Sequence, residues 1–258
     1  MPNFWKVVNE VIRRSDIVLE VLDARFPDES RNKEVEEKVK REGKQLIFVI
    51  NKCDLVSKYD VERWKRRLKP SVFVSSKKMY GTTLLRQKIL RFAEKDIVFV
   101  GVVGYPNTGK SSIINALKGR KSAQTSSVSG HTKGMQKIRV DNRIRVIDSP
   151  GVIPFRETDE LKHALLGSKS IQQIKDPESV ALKIIEMHPD IIAKQYALKR
   201  EDDPEEFLEA FAELFGMLKK GGVHDTSRAA RKIIDDWQNG RISLDTEPQD
   251  QLKKEENA

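Results

Sequence analysis

The sequence has little cysteine, little histidine and few aromatic residues. Its one cysteine, Cys53, excludes an internal disulfide and a cysteine-rich metal site, and no disulfide-linked partner is expected. That usage suits a reducing, cytoplasmic compartment. No apolar run approaches the roughly 20 residues that span a bilayer. Met1-Pro2-Asn3-Phe4-Trp5-Lys6 lacks the apolar core of an export signal, so neither a membrane partner nor secretion is expected. Internal repeats are absent. Hydrophobic residues make up 38% of the 258 and charged residues 34%, which fits one or two globular domains with polar tails.

What is present is positive charge, unevenly placed. The net charge is +9, yet residues 153–258 hold 16 basic against 22 acidic side chains, and residues 1–152 hold 32 against 17. An excess of that size points to a polyanionic partner, the alternative being a lysine-rich solubilising surface. The basic residues gather at Arg63, Lys65, Arg66, Arg67, Lys69, Lys77 and Lys78, and again at Lys118, Arg120, Lys121, Lys133, Lys137, Arg139, Arg143 and Arg145.

Apolar spacing predicts an opening helix through Phe4, Val8, Val11 and Ile12, then buried strands over 16–23, 45–50, 71–74 and 97–103. Helices are predicted between them, over 33–41, 58–68 and 82–93, and a further helix follows the fourth strand. Residues 118–135 read as a long exposed loop. Strands over 136–140 and 143–147 flank a turn at Asp141-Asn142. The alternation predicts an α/β domain, a mostly parallel sheet with helices on both faces, over residues 1–155. Helices alone are predicted after Pro154, over 158–167, 177–187, 204–219 and 226–239. They form a small all-α C-terminal domain over 156–244, with a flexible tail at 245–258.

Gly104-Tyr105-Pro106-Asn107-Thr108-Gly109-Lys110-Ser111 stands between a predicted strand and a predicted helix, the setting a phosphate-binding loop requires. Its glycines let backbone N–H groups turn toward phosphate oxygens, and the helix N-terminus adds positive potential. Pro106, Asn107, Thr108, Gly109, Lys110, Ser111 and Ser112 are therefore the phosphate-side candidates. Lys110 would reach the β/γ-phosphates and Ser111 would sit on Mg²⁺. Asn51-Lys52-Cys53-Asp54 closes the second strand. A carboxylate at Asp54 selects guanine, because guanine alone presents N1–H and a 2-amino group side by side. Asn51 would tie this segment to the phosphate loop, and Lys52 would lay its stem on the ring face. Ser75-Ser76-Lys77 fits an element whose backbone N–H reads guanine O6. Asp148-Ser149-Pro150-Gly151 fits D-x-x-G, with Asp148 on Mg²⁺ through water and the Gly151 N–H on the γ-phosphate. Thr132 is the candidate second Mg²⁺ ligand, with Thr125 the alternative. Lys110, Thr132 and Gly151 are the candidate catalytic groups.

These guanine-nucleotide motifs stand in an unusual order, with the base-reading elements before the phosphate loop. That order resembles the circularly permuted GTPases of the YlqF/RbgA type, which include bacterial, archaeal and nucleolar ribosome-assembly factors. Asp23-Ala24-Arg25-Phe26-Pro27 with Ser30-Arg31-Asn32 is similar to that family's N-terminal signature. Gly221-Gly222, Asp225, Arg228 to Arg231 and Trp237 are similar to its helical C-terminal domain. The resemblance covers about residues 5–242. It implies a circularly permuted P-loop GTPase domain that binds GTP/GDP and Mg²⁺, and a monomer working on the large ribosomal subunit or its precursor through rRNA. It implies slow intrinsic hydrolysis raised by the ribosomal particle, because Val152 stands where small GTPases carry a water-orienting glutamine. An N-terminal histidine proposed for that task in some relatives has no counterpart here, the first histidine being His131. Asn107 lies where potassium-dependent relatives place a K⁺ ligand, the alternative being an amide that braces the loop. Two other readings stand beside an assembly GTPase: a GTP-switched RNA-binding scaffold with negligible hydrolysis, and a P-loop ATPase in which N-K-x-D is coincidental.

Overall fold

Runs rich in valine, isoleucine and leucine, mostly buried, build the middle of the sheet. The computed structural model describes residues 2–119, 136–154 and 157–245. Thr125, Thr132 and the basic residues Arg120, Lys121 and Lys133 lie outside the described residues. Among the described residues one sheet is formed by β1 (Ile17–Asp23), β2 (Gln45–Asn51), β3 (Ser71–Val74), β4 (Val98–Val103), β5 (Gln136–Arg139) and β6 (Ile144–Asp148), in the order β3-β2-β1-β4-β6-β5. All neighbours are parallel except β5 and β6, joined by the short turn at Asp141-Asn142. The parallel strands carry their C-terminal residues, Asp23, Asn51, Val74, Val103 and Asp148, to one edge, where ligands of open α/β sheets bind.

The period-two alternation of β1 decides what each face buries. Leu19 and Val21 face α4 (Thr82–Arg91) and α5 (Lys110–Lys118), packing with Leu85, Ile89, Ile113 and Leu117. Val18 faces α1 (Pro2–Arg14) and α2 (Lys33–Arg41), packing with Val8, Val11, Val35 and Val39. Glu20 is fully buried, and its Oε1 accepts a 2.7 Å bond from the Asn32 N–H. Asn32 in turn caps α2 through the Val35 N–H.

The chain divides into two compact units, residues 1–53 with 61–174, and residues 54–60 with 175–258. The division falls beyond the 155/156 boundary expected from the sequence. α6 (Glu160–Leu165) belongs to the sheet unit, because side chains of the phosphate loop bond to residues 157–167. In the helical unit α7 (Pro177–Met187), α9 (Pro204–Leu214) and α10 (Thr226–Gln238) bury Ile184, Phe207, Phe211, Ile233 and Trp237. The Leu55 carbonyl accepts from the Leu244 N–H at 2.7 Å, which ties the 54–60 segment to this unit. Asp225 is the residue that caps α10, through the Arg228 N–H. Two features differ from expectation. α8 (Pro189–Tyr196) was not anticipated, because it follows α7 after His188 alone and starts on a proline, which the first helical turn tolerates. α9 stops at Leu214 rather than 219, because Gly216 turns the backbone to φ +59 and a Leu218–His224 bridge follows.

Candidate nucleotide-binding site

The loop after β4 is shaped by three close approaches that exclude side chains. A Cβ on Gly104 (φ +141) would lie 2.5 Å from the Val21 carbonyl oxygen. One on Gly109 (φ +98) would lie 2.1 Å from Asn51 Nδ2, and one on Gly151 would lie 2.7 Å from the Pro106 backbone. Asn107 adopts φ +61, an uncommon conformation for a residue with a side chain. Thr108 is fully buried, and its hydroxyl donates to the Tyr105 carbonyl at 3.0 Å. The loop leads into the N-terminus of α5, and the first N–H groups of a helix favour an anion.

Lys110 lies almost wholly buried inside this loop. Its ammonium donates to the Gly104 and Tyr105 carbonyls at 3.2 and 2.7 Å. Burial pulls its pKa down to about 8, and the Asp148 carboxylate nearby works in the opposite direction. A buried ammonium held by two carbonyl oxygens is a site that phosphate oxygens would complete. The donor set of Lys110, Ser111 and Asp148, with glycine at each close approach, fits a Mg²⁺-nucleotide.

Asn51 connects three parts of the site. Its Nδ2 donates to the Thr108 carbonyl at 2.9 Å, its Oδ1 accepts from the Ser76 N–H at 3.2 Å, and its carbonyl accepts from the Ala24 N–H at 2.8 Å. The expected tie between the base-reading strand end and the phosphate loop is therefore present. The Ser76 N–H is engaged by Asn51, and Ser75 Oγ accepts from the Lys78 N–H at 3.1 Å, closing the Ser75-Ser76-Lys77 turn. Asp54 lies in a short 3₁₀ turn, Cys53–Leu55, and groups with the helical unit.

Around D-x-x-G the structure supplies details that spacing does not carry. Ser149 Oγ donates to the Val102 carbonyl at 2.6 Å, and the Val152 N–H donates to the Gly104 carbonyl at 3.2 Å. The Val152 side chain is buried in a core cluster with residues of α1, α2 and the sheet, and it offers no polar group to orient water. Tyr105 donates its hydroxyl to Glu157 at 2.7 Å, and Glu157 also meets Lys162 at 2.6 Å and His163 at 3.1 Å. The Asn107 amide donates to the Gly167 carbonyl. That contact supports the bracing role. These two ties from the loop to residues 157–167 had no sequence signal, because each joins positions more than 50 residues apart with no shared motif.

A phosphate loop, an aspartate closing β6 and the N-K-x-D strand end lie at one sheet edge, with the N-K-x-D strand, β2, before the phosphate loop in the chain. This is a circularly permuted P-loop GTPase fold. A family model described as 50S ribosome-binding GTPase matches residues 99–213. The chain is 42% identical over 246 residues to a GTP-binding protein of Methanocaldococcus jannaschii, covering 92% of this chain and 65% of the relative. It is 35% identical over 251 residues to nucleolar GTP-binding protein 2 of Saccharomyces cerevisiae, covering 92% of this chain and 52% of that one. The chain thus spans part of these relatives' own length. GNP-bound YlqF from T. maritima superposes with a TM-score of 0.65 at 26% identity, covering 93% of this chain and 95% of that structure. The chain thus shares the circularly permuted GTPase fold of YlqF and is similar over nearly its whole length to proteins named as GTP-binding.

Proposed function

We propose that this protein hydrolyses GTP to GDP and phosphate and acts as an assembly factor for the large ribosomal subunit. The observation that carries the reading is the Asn51 bridge, which couples the base-reading strand end to Thr108 in the phosphate loop. Names of relatives support the setting, since one is called nucleolar and the matching family is described as 50S ribosome-binding. In this reading Asp54 accepts from the guanine edge, and Lys110 and the loop N–H groups hold the phosphates. Ser111 and Asp148 hold Mg²⁺, which when bound neutralises phosphate charge. Gly151 offers its N–H to the γ-phosphate. No polar side chain replaces the missing glutamine at Val152, so the group that orients water comes from elsewhere in the chain or from the particle. The burial of Val152 also favours the second reading, a GTP-switched RNA-binding scaffold with negligible hydrolysis.

Two measurements test these readings, the first the guanine specificity they share and the second the hydrolysis that divides them. GDP is expected to displace a labelled GTP analogue at least about 100-fold more effectively than ADP does, since adenine leaves Asp54 desolvated and unpaired. Equal competition by ADP would end the guanine reading. Purified precursor large subunits are expected to raise turnover about tenfold or more; turnover that stays flat while binding persists would favour the scaffold.

The RNA contact is assigned to the sheet unit, where the basic excess lies. On α3 (Lys58–Arg67), the Arg63 and Arg67 guanidinium carbons stand 5.5 and 5.0 Å from the Trp64 ring, and Arg66 is exposed. The pair between Arg67 and Asp28, at 2.9 Å, takes up part of that charge. Changing Arg63, Arg66 and Arg67 to glutamate is expected to weaken binding to precursor subunits about tenfold or more and to flatten its salt dependence. Sedimentation with the particle at two salt concentrations reads both effects, and unchanged binding would remove this face from the interface.

A further inference from the structure

Asp23 opens the N-terminal signature rather than a nucleotide motif, yet its side chain bonds to Lys52 of N-K-x-D. It closes β1 directly opposite Asn51 in register, and its side chain is fully buried. Oδ1 accepts from the Arg25 N–H at 3.1 Å and from Arg25 Nε at 3.0 Å. Oδ2 accepts from Arg25 Nη2 at 2.8 Å and from Lys52 Nζ at 2.7 Å. The Arg25 side chain is buried as completely as Asp23, whereas that of Lys52 keeps 19% of its surface. Burial opposes the charged carboxylate, but the Arg25 guanidinium and the Lys52 ammonium outweigh it and hold Asp23 far below the usual carboxylate range. Burying a charged pair adds little net stability compared with apolar residues of similar volume, so a role in fixing local geometry is the better account of its presence.

The geometry that it fixes is that of Lys52. This residue sits at φ +62, a conformation few residues with a Cβ adopt, immediately after the triple-bonded Asn51. A lysine stem left in water samples many rotamers. Here the ammonium is drawn back to Asp23, so the stem is held between two fixed points, its own backbone and the buried carboxylate. Its charge is neutralised from beneath, and its methylenes are the part left for a flat apolar ligand face.

We propose that Asp23, kept ionised by Arg25, is a positioning residue that preorganises Lys52 as the platform for the purine ring. The inference rests on the guanine reading of Asn51 to Asp54 and deepens it. Ordering Lys52 before the ligand arrives removes a cost that binding would otherwise carry, so the effect falls on nucleoside diphosphates and spares phosphate groups alone.

The test is a double-mutant cycle on the full chain, freed of nucleotide, with GDP, ADP and inorganic pyrophosphate as probes. Asp23→Asn is expected to weaken GDP about tenfold and pyrophosphate less than about twofold. In a Lys52→Met background, which keeps the stem and the Asp23–Arg25 pair, Asp23→Asn is expected to cost no further GDP affinity. Where Asp23→Asn alone unfolds because Arg25 is left unpaired, Asp23→Asn with Arg25→Met leaves no buried charge and takes its place in the cycle. Equal loss of GDP affinity in the wild-type and Lys52→Met backgrounds, or equal loss of GDP and pyrophosphate, would overturn the positioning role. A wild-type protein that binds GDP no better than ADP would remove the guanine reading itself. A wild type that prefers GDP while Asp23→Asn leaves its affinity unchanged would sink only this inference.

Discussion

Gly109→Ala is expected to abolish nucleotide binding and to destabilise the sheet unit by about 3 kcal/mol. Two separate costs add up to that figure. Alanine at φ +98 is strained by about 1–2 kcal/mol. Its Cβ would also occupy a point 2.1 Å from Asn51 Nδ2, so the amide must leave the Thr108 carbonyl, a buried acceptor whose lost partner costs about 1–3 kcal/mol. The same displacement opens the loop at the start of α5, and GDP affinity is expected to fall at least about 100-fold. Denaturant unfolding and calorimetric titration with GDP read the two effects. The control is Asn51→Ala in the Gly109→Ala background, where the clash is gone and the two stability losses are expected to be clearly less than additive. Wild-type stability and affinity in Gly109→Ala would mean that the Asn51 bridge does not shape this loop.

The second large effect belongs to Glu20, which no motif includes. Burial, aided by the Glu36 carboxylate, pushes its pKa from 4.5 up to about 8, while the Asn32 N–H and Arg31 act the other way. In the unfolded chain this carboxyl ionises near 4.5, so above that pH folding takes up a proton. The stability it allows is therefore complete below pH 4.5 and is lost progressively as pH rises toward 8, beyond which the loss levels off. At pH 7 the deficit is on the order of 3 kcal/mol. Glu20→Gln keeps an acceptor for the Asn32 N–H but cannot ionise. It is expected to stabilise the protein by on the order of 3 kcal/mol at pH 7 and by little at pH 4.5. Urea midpoints across pH 4.5–8 measure this. Parallel pH profiles for variant and wild type would show that Glu20 is ionised in the folded state.

The elements of the sheet unit were legible because each carries a strong local signal. β1, β2 and β4 are predominantly apolar runs, α2 is capped by Asn32 and followed by Gly43, and Gly104 to Ser111 stands between strand and helix. The helical unit was read less well, because its signals conflict. Pro189 both ends one helix and begins the next, and the apolar spacing of α9 runs on past the glycine that stops it. Within the site, identities were legible and contacts were not. Asn51 was expected to reach the phosphate loop, whereas its hold on the Ser76 N–H, the Tyr105–Glu157 bond and the Lys52–Asp23 pair had no spacing to reveal them.

The sequence alone determined the chemistry on offer: a phosphate loop, a guanine-type N-K-x-D, a D-x-x-G without glutamine, and their permuted order. Those properties reside in residue types and in short spacings, which local rules can read. Only the tertiary structure decided which groups are held, and by what. Parallel pairing carries Asp23, Asn51 and Asp148 to one edge, and strand register then sets Asp23 beside Asn51. Burial and distant partners do the rest: burial keeps the Glu20 carboxyl protonated at neutral pH and lowers the Lys110 pKa, and Arg25 with Lys52 keeps the buried Asp23 charged. A side chain's desolvation and its partners come from distant segments, so no window of sequence contains them.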